Sequence, residues 1–473
     1  MFPKRKVNVQ RNQDVNHQKE HNNGHKLLSQ VLIEKIRDYV VLFLETSTIH
    51  GFNHLVNDRR HPCEVILWLI VVMISLYGTI SISWMTWTRY QSSPTVISID
   101  RNMYAWNTTF PSTSICPEEK VDLEKLELYL NTSTVEDKEK LKTFITALAN
   151  ATFENFDALP DYKDIEARDY LETLLSLTPP FKPTVSIGAA GVGFGKMVPT
   201  ITEMGLCYAT NSKIAIYNSP EYRKANRWDV IQNKSSSYFV HPLDGEVFAQ
   251  ILNISSYRVY IHSPLEVPDV ASKYHHSPSY FYMKIFVTAT TVYTSDEAAG
   301  LSVAQRRCRF SHENNLKHNS VYSYTMCRIE CRIRLCLQYC QCIPHFYRRI
   351  GDEKICDVKG LHCLARYKDI LINLMHKGGK KVDCECFPIC HNVHYSVQSY
   401  ALQSWILGTN FQWGISTYPR MKYRRDIIFG FTDVLVAVGG MAGLFLGCSV
   451  LSFMEILYFM TLRLISYTKT TNK

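Results

Sequence analysis

Residues 434–454, VLVAVGGMAGLFLGCSVLSFM, form an uncharged run of 21 residues between Asp433 and Glu455. A second uncharged run, VILWLIVVMISLYGTISISWMTW, covers the 23 residues 65–87. Each run is long enough to cross about 30 Å of hydrocarbon as an α-helix. The sequence therefore predicts a membrane protein with two transmembrane helices and a large loop between them.

Five segments follow from these two runs. They are an N-terminal region (1–64), a first transmembrane helix (65–87), a cysteine-rich loop (88–426), a second transmembrane helix (427–459) and a short tail (460–473). Within the loop, apolar residues recur at helical spacing over 118–130, 135–150, 164–176, 320–339 and 364–376. Residues 184–300 instead carry short runs of Thr, Val, Ile and Tyr, which are typical of strands. We therefore predict an α+β membrane protein, with Thr134 as the N-cap of one of its helices.

Sequons and cysteines place the loop outside the cell. All five N-x-[ST] sequons lie in the loop, and an acceptor of this kind is used only in the secretory lumen. Thirteen of the fifteen cysteines lie there too, which suits an oxidising exterior. The predicted glycosylation acceptors are Asn107, Asn131, Asn150, Asn233 and Asn253. Both termini are then cytoplasmic, and we expect a multi-pass protein of the plasma membrane, in contact with lipid.

The cysteines favour disulfides over a metal site. Most of them lie between residues 308 and 390, and some spacings, such as Cys384-x-Cys386, also occur around zinc. The flanks, however, lack the Cys-x2-Cys and His pairs of structural zinc sites. Because thirteen is an odd number, at least one loop cysteine is expected to be unpaired or to pair between chains. Disulfides that tie helices together just before the second span would make a stiff lever between an outer sensor and a pore.

The sequence suggests no catalytic, metal or cofactor site, so we do not expect an enzyme. The glycine-rich residues 191–196 (GVGFGK) resemble a phosphate loop. Ala190 and Met197, however, occupy the positions that this motif reserves for Gly and for Ser or Thr. The net charge of +9 is spread along the chain and gives no reason to expect a nucleic-acid partner.

The uncharged run 434–454 and its flank carry a line of small and polar residues that a simple lipid anchor does not need. This line consists of Gly439, Gly443, Gly447, Ser449, Ser452 and Glu455. A stripe of small residues also serves the close packing of two helices, without any pore. A carboxylate in a membrane helix usually faces water, a partner or an ion path, although Glu455 is near enough to the end of the span to reach the membrane surface instead. Because one helix cannot enclose a channel, a pore requires several copies around a symmetry axis.

Six short motifs occur in order along the chain. They are His50-Gly51, FPSTSIC at 110–116, GLCY at 205–208 with Asn211-Ser212, HSP at 262–264 with Pro268, RCRF at 307–310 with ENNL at 313–316, and Gly447-x-Ser449. With the cysteine pattern, they resemble the degenerin/epithelial sodium channel family, and most of all its insect pickpocket branch. The match runs from His50 to about Tyr458. Each motif alone is weak, but six in order are specific.

The resemblance implies a homo- or heterotrimer of two-span subunits that passes Na⁺, is typically blocked by amiloride and has no cofactor. Its loop would form β palm strands, a helical finger and knuckle, and a disulfide-braced thumb. The implied selectivity filter is Gly447, Cys448 and Ser449. The implied pore and gating residues are His50, Gly51, Asp433, Val436, Ala437, Gly439, Gly440, Gly443, Ser452 and Glu455. The implied disulfides are Cys116–Cys207, Cys308–Cys390, Cys327–Cys386, Cys331–Cys384, Cys340–Cys363 and Cys342–Cys356, which leaves Cys336 unpaired.

Val436 departs from the family pattern. The position eleven residues before Gly447 is usually small, and bulky replacements there tend to hold the pore open, so we expect either leaky gating or compensation by Ala437. Two other functions stay open: a surface receptor of the scavenger type, which the polar line disfavours, and an ATP-gated two-span cation channel, which needs a basic cluster for phosphates. The stimulus is also open. An extracellular ligand, a mechanical tether, or protons acting on His275 and His276 would each suit the chain.

Overall fold

The chain folds into two compact units. The computed structural model describes residues 33–56, 61–101, 107–187, 197–225, 237–376, 378–418 and 421–471. One unit combines Met1–Pro94 with Ile428–Lys473 and is called the membrane unit. The other unit, Thr95–Ile427, is called the disulfide domain. Both apolar runs therefore lie in one unit, and the intervening loop folds as a domain of its own.

The helices follow the hydrophobic periodicity of the sequence. In chain order they are α1 (33–46), α2 (Pro62–Ser92), α3 (Leu123–Thr132), α4 (Lys138–Ala149), α5 (Tyr170–Ser176), α6 (Pro220–Ala225), α7 (Asp296–Ala299), α8 (Val303–Arg306), α9 (Tyr324–Cys340), α10 (Val358–Ala365), α11 (Lys368–Asn373), α12 (Phe431–Leu446), α13 (Val450–Tyr458) and α14 (Leu464–Thr471). A 3₁₀ turn at Phe52–Leu55 precedes α2, and a π-helical turn at Phe459–Arg463 joins α13 to α14. By length and composition, α2 and the helical stretch Val450–Lys469 are able to cross a membrane, while α12 is a shorter apolar helix.

The strands of the disulfide domain form two larger sheets and one small one. In chain order they are β1 (Thr95–Asp100), β2 (Thr108–Thr109), β3 (Ser112–Pro117), β4 (Thr184–Ile187), β5 (Val198–Thr202), β6 (Gly205–Thr210), β7 (Phe239–Val240), β8 (Val247–Ile254), β9 (Tyr257–His262), β10 (His275–Ser277), β11 (Phe281–Thr294), β12 (Asn392–Ser404), β13 (Thr409–Thr417) and β14 (Lys422–Ile427). The seven-stranded sheet has the order β1-β14-β11-β13-β8-β4, with β12 on the other edge of β11. The five-stranded sheet has the order β10-β9-β3-β6-β5, and β2 pairs with β7. Pairing is antiparallel except where β11 meets β13 and β14.

Two apolar clusters hold the disulfide domain together. In the first, alternate residues of β11, such as Ile285 and Val287, are buried together with Phe411 and Trp413 of β13. This period of two is what a strand with one buried face requires. The second cluster joins α3, α4 and α5 to the segment that contains α9, α10 and α11. Phe144 is among its fully buried members.

Six disulfides brace this domain. They are Cys116–Cys207, Cys308–Cys390, Cys327–Cys386, Cys331–Cys384, Cys340–Cys363 and Cys342–Cys356, the pairs that the family resemblance implied. Three of them fasten α9 to the chain that follows it, so this helix is tied along its length. Each bridge contributes about 2–4 kcal/mol by restricting the unfolded chain. Cys336 is buried and free, as expected.

Three predictions from the sequence were wrong in detail. Asp137, not Thr134, caps α4, because its carboxylate accepts the N–H of Lys140 and leaves Thr134 outside the helix. The predicted helix at 364–376 is instead two short helices, α10 and α11, and Leu374 in the left-handed conformation ends the second. The second transmembrane segment is not one helix over 427–459, since α12 begins only at Phe431 and ends at Leu446. The glycine-rich residues 191–196 lie outside the described residues.

Candidate pore site in the membrane unit

A break in the second span follows α12. Gly447 has a φ of 63°, in the left-handed region that favours glycine, and its N–H donates to the Gly443 carbonyl at 3.0 Å. The N–H of Cys448 donates to the Ala442 carbonyl at 3.2 Å. These two bonds close the end of α12 and turn the chain out of the helix. The Gly439–Gly443–Gly447 stripe is therefore not one continuous helical face, because Gly447 already belongs to the turn.

Ser449 starts the next helix. Its hydroxyl accepts the N–H of Ser452 at 3.3 Å, and its own N–H donates to the Ser452 hydroxyl at 3.2 Å, so the two serines cap α13 reciprocally. The Gly-Cys-Ser motif is thus a short non-helical link between two helices. At such a link, backbone groups that would otherwise bond within a helix turn outward.

The N-terminal loop that follows α1 packs on this link. The His50 N–H donates to the Leu446 carbonyl at 3.0 Å, and a Cβ atom at Gly447 would collide with the His50 imidazole. Gly51 has a φ of 93°, and a Cβ there would lie 2.9 Å from Val72 of α2. Only glycine fits either position without strain. The His-Gly motif and the Gly-x-Ser motif, far apart in sequence, are therefore in direct contact.

Thr48 ties the same loop to α13. Its hydroxyl lies 2.9 Å from the Ser452 hydroxyl and 2.7 Å from the Glu455 carboxylate, and its N–H donates to that carboxylate at 3.2 Å. Ser452 is buried beneath these groups. The Glu455 carboxylate thus accepts two hydrogen bonds from the N-terminal loop, which partly compensates for its removal from water. Sequence reasoning missed Thr48, although its place two residues before His50 and next to Ser47 was a polar signal beside the span.

Helix α1 holds the far end of α13. The Tyr39 hydroxyl donates to the Phe459 carbonyl at 2.5 Å, and the Phe43 and Phe459 rings meet edge to face at 5.3 Å. The acceptor lies in the π-helical turn, where the regular backbone pattern is already interrupted. Both ends of α13 are therefore held by the N-terminal segment.

One face of α12 is open as far as the described part of the chain shows. A Cβ at Gly439 or Gly440 would meet no atom within 4 Å, and Val436 is 71% exposed. Another residue of α12, Phe445, packs on α2: its ring lies 3.4 Å from the position that a Cβ on Gly78 would take. Close packing against α2 therefore does not explain Gly439 and Gly440.

The remaining predicted residues are placed as follows. Asp433 lies in the first turn of α12, where its carboxylate accepts the Gly430 N–H at 2.7 Å. Ala437 is half-buried, beside the exposed Val436. Asn107, Asn131, Asn150 and Asn253 are exposed, whereas Asn233 lies outside the described residues.

Comparison with known proteins now identifies the family. The family model described as amiloride-sensitive sodium channel matches residues 43–459, from α1 to the end of the broken span. The chain belongs to this family. The sodium channel protein Nach of Drosophila melanogaster is 22% identical over 88% of this chain and 86% of its own length. Pickpocket protein 28 of the same fly is 22% identical over 90% of this chain and 79% of its own length. The human bile acid-sensitive ion channel is 22% identical over 88% of this chain and 85% of its own length.

These findings confirm the resemblance to degenerin/epithelial sodium channels and to pickpocket subunits. They support a two-span sodium channel of this type at the plasma membrane, and not an enzyme. The scavenger-type receptor and the ATP-gated channel gain no support from them.

Proposed function

We propose that the chain is one subunit of a trimeric, sodium-selective channel whose filter is the Gly447–Ser449 link. The observation that carries this proposal is the helix break at Gly447, where the N–H of His50 donates to the Leu446 carbonyl that ends α12. Backbone carbonyls and hydroxyls at a narrow point replace part of a cation's hydration shell. Helix ends on both sides of a link bring such groups together, which an unbroken lipid-facing helix does not.

The open face of α12 supports assembly around an axis. Gly439 and Gly440 expose backbone that neither α2 nor the N-terminal loop covers, as far as the described residues extend. Exposed backbone is more costly against lipid than against water or a partner. Three copies with these glycines facing the axis would place the peptide groups along a water-filled path. The partners would be identical or related subunits.

Orientation and gating complete the proposal. The disulfide domain lies outside the cell and both termini lie inside, as the sequons and the six disulfides favour. A ligand or a tether acting on this domain opens the pore, amiloride blocks it, and the His50 loop reaches the filter from the cytoplasmic side.

The filter is tested by voltage clamp on oocytes that express the chain alone or with a related subunit. Ser449→Leu should abolish the current or lower the preference for Na⁺ over K⁺, because it removes a hydroxyl and adds bulk to the link. Val450→Leu is the matched control. Val450 directly follows Ser449 in the chain and is 81% exposed, so this variant should leave the reversal potential unchanged. A robust Ser449→Leu current with the original reversal potential would remove Ser449 from the filter.

Val436 gives a separate test of the gate. If this exposed side chain holds neighbouring α12 helices apart, Val436→Ala should reduce the resting current at equal surface expression. Leu444→Ala, at another exposed position of the same helix, is the control for a loss of side-chain volume and should leave the resting current unchanged. An unchanged resting current in Val436→Ala would argue against leaky gating at this position.

A further inference from the structure

A cleft of about 260 Å³ lies in the disulfide domain. Apolar residues of α5 form one wall, and residues of β5, β6 and the end of β8 form others. The apolar lining includes Leu171, Leu174, Leu175, Phe181, Ile201 and Ile254. Phe181 is fixed by stacking on Tyr208, with ring centroids 4.0 Å apart. The cleft is a shaped apolar space of the size that small ligands fill.

The cleft lining also includes the polar side chains of Glu119, Lys120, Lys182, Asn253 and His345. Lys120 is half-buried and His345 is buried, whereas the other three are exposed. Lys120 lies across Gly205, with its ammonium 3.6 Å from the position of a Cβ there. Among the described residues, Lys120 has no hydrogen-bond or ion-pair partner. His345 is 6% exposed, and its Nδ1 atom has no hydrogen-bond partner in the part of the chain that the structure describes. A buried nitrogen without a partner is unfavourable, so a ligand that satisfies it gains affinity.

The charged groups that line the cleft are Lys120, Lys182 and the exposed carboxylate of Glu119. The least exposed of these charges is the ammonium of Lys120, which favours an anion. Burial, with a smaller contribution from Arg258, lowers the pKa of Lys120 to about 8, against an opposing attraction from Glu118. Burial, assisted by Lys120, lowers the pKa of His345 to about 4, so this imidazole is neutral at pH 7. A carboxylate beside the Lys120 ammonium would reverse the unfavourable burial of that charge. The neutral imidazole would supply one further hydrogen bond.

We propose that this cleft binds a small carboxylic acid with an apolar body, whose carboxylate pairs with Lys120 and His345 while its body fills the space along α5. The volume fits one ring or a short alkyl chain and excludes most of a peptide. Binding in this cleft does not require ion conduction. Failure of either proposal is therefore distinguishable from failure of the other.

The test is calorimetric titration of the full-length protein in lipid nanodiscs with 3-phenylpropionate. We expect saturable binding, one site per chain, and at least a tenfold loss of affinity in Lys120→Met, as removal of a charge-assisted hydrogen bond predicts. Lys182→Met is the matched control, because Lys182 lines the same cleft but is exposed, and it should bind within about twofold of the unmodified chain. The neutral alcohol 3-phenylpropanol should bind at least tenfold more weakly.

Two further measurements separate recognition from a folding defect. Affinity should fall about tenfold between pH 7 and pH 9, as Lys120 loses its proton, and Lys120→Arg should retain binding without this fall. Leu174→Trp, which fills the cleft and leaves Lys120 intact, should abolish binding. The proposal is overturned if no saturable binding occurs at millimolar probe, if Lys120→Met binds as tightly as the unmodified chain, or if Leu174→Trp leaves the affinity unchanged.

Discussion

Replacing Gly447 with alanine should destabilise the membrane unit far more than the same change at Gly439. At Gly447 an alanine must adopt a left-handed backbone, which costs about 1–2 kcal/mol. Its methyl group would also collide with the His50 imidazole, and moving that loop away sacrifices the bond from His50 to the Leu446 carbonyl, about 1 kcal/mol more. We therefore expect a loss of about 2–3 kcal/mol in the free energy of unfolding.

Gly439→Ala is the matched control, because its methyl group would meet no atom within 4 Å and its backbone is helical. Replacing glycine inside a helix removes a conformational entropy cost of about 0.5–1 kcal/mol, so this variant should be neutral or slightly stabilised. The two alanine variants are compared by the midpoint of thermal unfolding of purified full-length protein, where we expect a difference of roughly 5–10 °C.

A double variant separates the collision from the backbone strain. His50→Ala should recover part of the stability lost in Gly447→Ala, because it removes the imidazole that the new methyl group strikes. The left-handed strain of about 1–2 kcal/mol should remain. Equal midpoints for Gly447→Ala and Gly439→Ala, or a double variant less stable than the sum of the two single changes, would refute the contact between these motifs.

Three further predictions concern other contacts. Thr48→Val keeps the shape of the side chain but removes its hydroxyl bonds to Ser452 and Glu455, so it should alter channel opening at equal surface expression, whereas Thr48→Ser should not; identical currents in both variants would contradict the contact. A thiol reagent applied from outside should block current, and Cys448→Ser should be resistant; block that persists in Cys448→Ser would place the reactive thiol elsewhere. His318 lies between the carboxylates of Glu330 and Glu353, at 2.9 and 3.0 Å, and donates from both ring nitrogens only when protonated. Burial alone would lower the pKa of His318, but the hydrogen bonds and the two carboxylates outweigh burial and raise it. The stabilisation of the folded state by protonated His318 is therefore present below about pH 6.5 and is lost as the pH rises through the raised pKa. His318→Gln should lower the midpoint of thermal unfolding near pH 6 and lower it much less at high pH. A decrease in the midpoint that is the same at both pH values would contradict the charged contacts with Glu330 and Glu353.

Some features of the fold were readable from the sequence because they are local. The Thr, Val, Ile and Tyr content of β11 and the helical spacing in α9 are properties of short stretches of sequence. The structure places β11 within the predicted strand region 184–300, and α9 close to the predicted helix at 320–339. The six disulfide pairs were different. Spacing alone left many pairings open, and only the resemblance to a family selected the observed set.

The contact between the His50 loop and the second span could not be derived from local patterns. Gly447 looked like one more member of a helical stripe, because its left-handed backbone depends on the capping bonds to Gly443 and Ala442. Thr48 looked like part of a polar linker, because its partners lie 404 and 407 residues further along the chain. Hydrophobic periodicity reports which face is apolar, and it carries no information about which distant polar group completes a helix end.

The bonds between the N-terminal loop and the broken span are strong enough to influence gating. One neutral bond, from His50 to Leu446, and two bonds from Thr48 to the Glu455 carboxylate are worth about 4–7 kcal/mol together. Moving a two-state equilibrium from 1:99 to 99:1 requires about 5.5 kcal/mol. If the Gly447–Ser449 link is the filter, as proposed, a rearrangement that formed these bonds in only one of its states would suffice to switch it. Because the Ser452 hydroxyl both contacts Thr48 and accepts the Ser449 N–H, displacement of the loop would reach this link through a single side chain.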